Sequence, residues 1–203
     1  MRKNKLIIFD LDGVLINSIN NMKYSLNKTS RELKIELKFE IYKKYLGLPF
    51  EDIMKKMKVS DNIKNIKKRY EFFSEQNLSK VKIKKSFVGE LIKLKKNFYL
   101  SVFTSKNRKR TLQILKKYKL FDYIVTSDDI KKGKPNPEGL KKILSKFKIS
   151  RNNCLFIGDS IYDYYASNSA KIRYAHAMWG YEKKLKKKNI LKLTRFNEIS
   201  KIL

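Results

Sequence analysis

The sequence predicts an α/β protein: a parallel sheet covered on both faces by helices, with an all-helical segment inserted after the first strand. Three observations carry this. Leu6-Ile7-Ile8-Phe9 is a continuous apolar run, as a strand buried on both faces requires, and it stops at Asp10-Leu11-Asp12-Gly13. From about residue 83 onward helical and strand patterns alternate, and strands joined through helices come out parallel. Between residues 17 and 82, every periodic stretch reads as helix.

Taken in order, the opening run is a strand, although periodicity alone does not separate four apolar residues from a piece of core helix. Gly13 lets the backbone turn. Ser18 to Leu37 reads as one or two helices, with Ser18 as N-cap and Ile19, Met22, Leu26, Leu33 and Leu37 as the apolar stripe. A shorter helix covers Glu40 to Leu46 and is broken by Gly47-Leu48-Pro49. Phe50 to Lys58 and Asp61 to Leu78 follow, the latter with Ile63, Ile66, Tyr70 and Phe73 along one side. Lys80 to Lys85 returns the chain, and its alternating Val81 and Ile83 suit a short strand.

Ser86 to Asn97 is predicted helical, with Ser86 as N-cap, and Phe98 to Phe103 is a strand ending in the polar turn Thr104-Ser105-Lys106-Asn107. Arg108 to Lys119 is a helix with Leu112, Leu115 and Tyr118 facing inward, Tyr123 to Val125 a short strand, and Asp128 to Pro137 a loop. A helix over Pro137 to Lys148 precedes a second buried-type strand, Cys154 to Ile157, which ends at Gly158-Asp159. A helix through Ala170, a strand at Ile172 to Ala177 and a helix near Phe196 to Leu203 close the chain. No internal repeat is visible. The expected division is a core of residues 1–16 and 83–203, with residues 17–82 as the insert.

Composition narrows the function classes. With 203 residues, 42% of them hydrophobic and 12% aromatic, a packed globular protein is expected rather than a disordered one. No apolar run approaches the roughly 18 residues of a membrane span. The first residues enter the strand directly and leave no room for a signal peptide, so a cytoplasmic protein is expected. The one cysteine, Cys154, forms neither an intrachain disulfide nor a cysteine-built zinc site. A net charge of +30 invites a nucleic-acid partner. The basic residues are mostly lysines spread along the whole chain, without an Arg-rich block or tail, which disfavours that reading. The charge should still draw anionic substrates.

Four polar stretches fall at predicted strand ends, where ligands sit in open α/β sheets. Asp10 and Asp12 offer a metal site, a nucleophile with its acid/base partner, or both; the bland alternative is a strand ended by an ordinary Asp-containing turn. Thr104 and Ser105 could bind a phosphate oxygen, or merely cap a helix. Lys134 lies in Gly133-Lys134-Pro135-Asn136-Pro137, where flanking prolines stiffen the loop and hold an ammonium in place. Asp159 and Asp163, four residues apart, would share one side of a helix. Carboxylates converging from separate strands repel unless a cation lies between them, and hard oxygen ligands of this kind suit Mg²⁺.

These stretches together resemble the four ordered motifs of the haloacid dehalogenase superfamily, closest to its phosphoglycolate phosphatase-like members with a helical cap after the first motif. Gly47-Leu48-Pro49 and Trp179-Gly180-Tyr181 extend the resemblance over essentially the whole chain. It implies a Rossmann-like, HAD-like core and a role for each matching residue. Asp10 would be the nucleophile that accepts the phosphoryl group, and Asp12 the acid and then base. Thr104, Ser105 and Lys134 would hold phosphoryl oxygens. Mg²⁺ would be bound by Asp10, the Asp12 carbonyl and Asp159, with Asp163 orienting the metal's waters. Dehalogenases of the superfamily lack the second acid, so Asp12 disfavours carbon–halogen cleavage.

The resemblance therefore implies a phosphatase for a small phosphorylated metabolite: phosphoglycolate, a sugar phosphate, a nucleotide or pyrophosphate. The alternatives are a sugar-phosphate mutase of the β-phosphoglucomutase kind and a basic binding module on an inactive fold. Lys171 stands where the family commonly has glycine. His176 and Trp179 are expected to be structural, and Lys43, Lys44, Lys55 and Lys56 to be mainly a solvated face of the cap.

Overall fold

The computed structural model describes residues 3–202 and contains a six-stranded sheet. Its strands are β1 (Leu6–Phe9), β2 (Tyr99–Phe103), β3 (Tyr123–Val125), β4 (Cys154–Gly158), β5 (Arg173–Ala177) and β6 (Leu191–Leu193). Every pairing is parallel and the order is β3-β2-β1-β4-β5-β6. β1 is central: Phe9 is in register with Val102 of β2 on one side and Ile157 of β4 on the other. The chain therefore builds outward to β3, crosses back over β1, and builds outward again. Such a reversal opens a crevice at the carboxyl ends of the middle strands.

Both faces of β1 are buried, in alternation. Ile7 and Phe9 join one layer with Leu91, Leu94, Leu100, Val102, Ile114 and Phe196, while Leu6 and Ile8 join the other with Phe103, Phe156, Leu140 and Ile143. Each such side chain removed from water contributes about 1.5–3 kcal/mol, which explains why the strand is uniformly apolar rather than alternating. Helices α5 (Lys85–Asn97), α6 (Arg108–Leu115), α7 (Glu138–Phe147) and α8 (Ile161–Ala170) supply the covering layers.

Between β1 and α5 the chain is helical: α1 (Ile19–Leu33), α2 (Phe39–Lys43), α3 (Phe50–Lys56) and α4 (Ile63–Gln76). These helices enclose a separate apolar cluster that includes Met22, Leu26, Phe39, Tyr42, Phe50, Ile53 and Tyr70. The two connections to the sheet meet at a single antiparallel bridge, Ile16 with Ile83.

Several elements differ from the sequence expectation. The first helix ends at Leu33 rather than Leu37: Lys34 adopts the left-handed conformation, and the Ser30 hydroxyl donates to Ile35 O and accepts from Leu37 N. The expected helix over Arg108–Lys119 stops at Leu115 and tightens into a 3-10 turn, with Thr111, Ile114 and Leu115 buried and Leu112 only half-buried. Val81 and Ile83 form no strand beyond that one bridge. The C-terminal segment is a 3-10 helix over Phe196–Lys201, with Leu203 outside the described residues. Strand β6 is an addition at the sheet edge. No helix among the described residues is long and apolar enough to cross a membrane.

Candidate active site

The crevice gathers the polar strand ends. Asp10 follows β1, Thr104 follows β2 and Asp159 follows β4, so sheet order alone brings three distant segments side by side. Lys134 arrives from the loop beyond β3. Its ammonium lies 2.5 Å from Asp10 Oδ1 and 2.7 Å from Asp163 Oδ1, packed over the faces of Phe103 and Phe156. All four ionic groups are buried: Asp10, Lys134, Asp159 and Asp163.

Asp159 and Asp163 come together differently from the expected shared helix face, because Asp159 precedes the helix. Ser160 is the N-cap of α8 and Asp163 sits at the third helical position, where its Oδ2 accepts from the Ser160 amide (3.0 Å) and hydroxyl (2.6 Å). This reciprocal cap fixes Asp163 and turns Oδ1 to Lys134. Asp159 Oδ2 accepts from the Tyr181 amide at 2.6 Å. Two glycines allow it room. A Cβ on Gly13, whose φ is +90°, would come 2.0 Å from Asp159 Oδ2, and one on Gly180 would come 2.2 Å from Asp159 Cβ.

Oxygens of Asp10, Asp159 and Asp163 lie within 4.8 Å of one another. Three carboxylates facing one ammonium leave an excess of two negative charges when all are ionised. Burial pushes Asp10 up to about 7, a rise that Lys134 opposes and Asp163 adds to. Burial, with Asp10 and Asp163 next, also holds Asp159 well above the usual carboxylate range. For Lys134 burial acts downward, but Asp10 and Asp163 more than reverse it and keep the ammonium charged. The charge imbalance, the oxygen-only donors and the glycine cradle fit a divalent cation held by these acids.

Asp12 lies outside this group of three acids and lines the cavity with Asp10 and Asp159. Its Oδ1 accepts from the Ser18 hydroxyl and lies 3.2 Å from Lys106 Nζ. Ser18 occupies the N-cap position of α1, as expected, yet its side chain makes no cap; its amide donates to Tyr181 Oη at 2.8 Å. Thr104 Oγ1 accepts from the Lys106 amide at 3.1 Å, and Ser105 Oγ donates to the Gly47 carbonyl at 2.8 Å. The break after α2 thus seats the helical insert directly on the turn after β2. Gly47 and Gly133 lie against Ser160 and Pro49, which tightens the same seam.

These elements enclose a cavity of about 490 Å³, lined on the sheet side by Asp10, Asp12, Thr104 and Asp159, and on the helical side by Met22, Tyr42, Phe50 and Tyr70. That is room for a small metabolite. Lys43 and Lys44 line its exposed mouth, while Lys55 lies outside it and pairs with Asp52. His176 is buried, its Nε2 bonded to the Glu182 carbonyl, and Trp179 packs on Phe87 and Phe196.

Sequence reading did not single out Ser18, Lys106, Arg110 or Tyr181 as site residues. Lys106 had a local signal, lying two residues past Thr104 in the same turn. The other three meet the site only through tertiary contacts.

A hydrolase-type α/β core carrying this acid-and-lysine constellation defines a class, and the comparison with known families agrees. The chain belongs to the haloacid dehalogenase-like hydrolase family, whose sequence profile matches residues 7–177. It is an enzyme of that family, and among the family's members it is phosphoglycolate phosphatase-like. It is 30% identical over 182 residues to PpaX of Caldanaerobacter subterraneus, described as a candidate pyrophosphatase, covering 85% of this chain and 81% of that protein. It is 29% identical to the phosphoglycolate phosphatase of Aquifex aeolicus, covering 88% and 87%. In structure it resembles a candidate phosphoglycolate phosphatase from Lactobacillus plantarum with a TM-score of 0.90 over the full length of both chains, at 20% identity.

Proposed function

We propose that this enzyme hydrolyses small phosphate monoesters with the help of Mg²⁺, through an aspartyl-phosphate on Asp10. The observation that carries the reading is the paired arrangement at the end of β1. Asp10 is charge-paired with a buried lysine, and Asp12, two residues on, faces the cavity. The name of one relative, a phosphoglycolate phosphatase, supports the monoester, and that of another, a candidate pyrophosphatase, supports phosphoryl hydrolysis in general.

In the first step a carboxylate oxygen of Asp10 attacks phosphorus and the bond to the leaving oxygen breaks. Asp12 gives that oxygen its proton. In the second, Asp12 takes a proton from a water that attacks phosphorus, freeing inorganic phosphate and restoring Asp10. Thr104, the Ser105 backbone and Lys134 orient and neutralise the phosphoryl oxygens. Asp10, Asp159 and the Asp12 carbonyl would hold Mg²⁺, with Asp163 orienting its water shell. When bound, the cation offsets charge on the transferring group. Residues 17–82 would act as a cap that shields the reaction from bulk water. The reading carries a cytoplasmic enzyme with a small phosphorylated substrate.

The test is inorganic phosphate release from phosphoglycolate, pyrophosphate, a hexose phosphate and a nucleoside monophosphate, with Mg²⁺ and with EDTA. Release is expected to require both the metal and Asp10, and to disappear in Asp10→Asn. Full activity in Asp10→Asn sinks the proposal. Negligible release together with sugar-phosphate isomerisation that requires a bisphosphate would mark a mutase instead.

A further inference from the structure

One buried cation in the cavity has no part in the chemistry above. Arg110, in the first turn of α6, lines the same space as Asp10, Asp12 and Thr104, yet it is only 5% exposed. A buried guanidinium is costly unless its donors are used. Here they are used incompletely. Nε donates to Asn107 Oδ1 at 3.1 Å, Nη1 to Ser74 Oγ at 3.3 Å and Nη2 to Glu71 Oε1 at 3.3 Å. Arginine has five N–H donors. Three donate to these partners, and of the remaining terminal N–H groups one interacts with the Tyr70 hydroxyl. Its single carboxylate partner is held by one long contact rather than by the bidentate fork that arginine favours.

The surroundings say what would complete the set. Lys106 is balanced by Asp12, and Lys134 by Asp10 and Asp163. Lys43 and Lys44 at the mouth are exposed and screened by water. Arg110 is left as the sheltered cation of the cavity whose one carboxylate partner is held by a single 3.3 Å contact. Tyr42 and Tyr70 stand beside it, the guanidinium 5.6 Å from the Tyr70 ring. Burial raises both phenols above their ordinary range, so they remain neutral donors and add no competing negative charge.

We propose that Arg110 is a specificity residue: it binds a second anionic group, a carboxylate or a phosphate, on the leaving half of the substrate. This rests on the phosphatase reading for the position of the first phosphate. Ser74 and Glu71 hold the guanidinium, and the substrate's own anion replaces Glu71 as its main partner.

The experiment measures equilibrium binding of two phosphonates in the presence of Mg²⁺: 3-phosphonopropionate, which carries a carboxylate, and propylphosphonate, which does not. Wild-type protein should bind the first about tenfold or more tightly, the scale of a charge-assisted hydrogen bond. Arg110→Gln should bring the ratio close to one by weakening 3-phosphonopropionate while leaving propylphosphonate within about twofold. Arg110→Lys should restore part of the ratio. Glu71→Gln should raise it, because it removes the competing carboxylate; if Arg110 only fastened α6 to α4, this variant would weaken both ligands alike. A wild-type ratio near one, a ratio that survives Arg110→Gln, or equal weakening in Glu71→Gln overturns the proposal. Phosphate release is assayed in parallel. A full binding ratio with no release from any ester counts against the phosphatase reading alone, whereas release without anion preference counts against Arg110 alone.

Discussion

Lys106 Nζ lies 3.2 Å from Asp12 Oδ1, so the second acid after β1 meets a cation supplied by the turn after β2. Both residues line the cavity, and Lys106 is 6% exposed. Burial pulls its ammonium below the usual lysine range, while Asp12 works in the opposite direction. In the proposed reaction Lys106 would thereby position the carboxyl that serves the leaving oxygen. Lys106→Met is expected to lower kcat for alkyl phosphates by about 10- to 100-fold, a fraction of a general acid's usual contribution. The loss should be smaller for p-nitrophenyl phosphate, whose leaving group needs little protonation. Parallel losses on both substrates would contradict a role through Asp12.

Gly180 matters because of space rather than backbone freedom. Alanine there would set a Cβ 2.2 Å from Asp159 Cβ and 2.4 Å from its Oδ2. Overpacking of this kind costs about 1–3 kcal/mol. Gly180→Ala is expected to lower Tm and to raise the Mg²⁺ concentration needed for half-maximal thermal stabilisation. Thermal melts across a Mg²⁺ series check both effects, and an unchanged Mg²⁺ requirement would separate the glycine from the carboxylates proposed to hold the metal.

The acids also set a pH dependence. Burial raises Asp10 from 3.8 to about 7, with Lys134 lowering it and Asp163 raising it further. A group raised on folding contributes stability that is fully present below its unfolded value and is lost as pH climbs through the folded one. From this group, metal-free protein loses stability between about pH 4 and pH 7. A divalent cation favours the ionised form and should restore most where that form prevails. The rise in Tm on adding Mg²⁺ is therefore expected to be larger at pH 8 than at pH 5.5. An equal or opposite response would show that these carboxylates are not the metal's ligands.

Cys154 opens β4 inside the core, where burial pushes its thiol up to about 12 and its Sγ–H donates to the Ser150 carbonyl at 3.3 Å. Reaction with a thiol reagent at pH 8 should be slow in the native protein and rapid after unfolding. Cys154→Ala should cost about 1–2 kcal/mol and leave kcat unchanged. Fast native labelling would show that this end of β4 opens readily.

The strands and the candidate catalytic residues were legible because their signals are local. An apolar run such as Leu6–Phe9 or Cys154–Ile157 declares a strand, and Asp10, Thr104 and Asp159 stand immediately after their strands. Strand β6 was not legible. Leu191-Lys192-Leu193 is short and set among lysines, and it is a strand only because the edge of β5 offers Ala175 to Ala177 as partners. The helix expected near the C-terminus is present over Phe196–Lys201 but as a 3-10 helix: the stripe of Phe196 and Ile199 records burial against the sheet, which a 3-10 helix satisfies as well as an α-helix. Ser18 read as a cap because it precedes a helix, and nothing nearby in sequence indicated that its hydroxyl goes to Asp12.

By itself, the amino-acid sequence determined the α/β class, the helical insert and the order of the polar strand ends, since each follows from periodicity and turn residues within a few positions. Tertiary structure alone decided which charges pair. Lys134 reaches Asp10 across 124 residues, Tyr181 reaches Ser18 across 163, and Arg110 reaches Ser74 in the insert across 36. Those distances close only when the sheet order is set. In a chain with 49 basic residues, burial then distinguishes Lys106, Arg110 and Lys134 from the more exposed ones among the described residues.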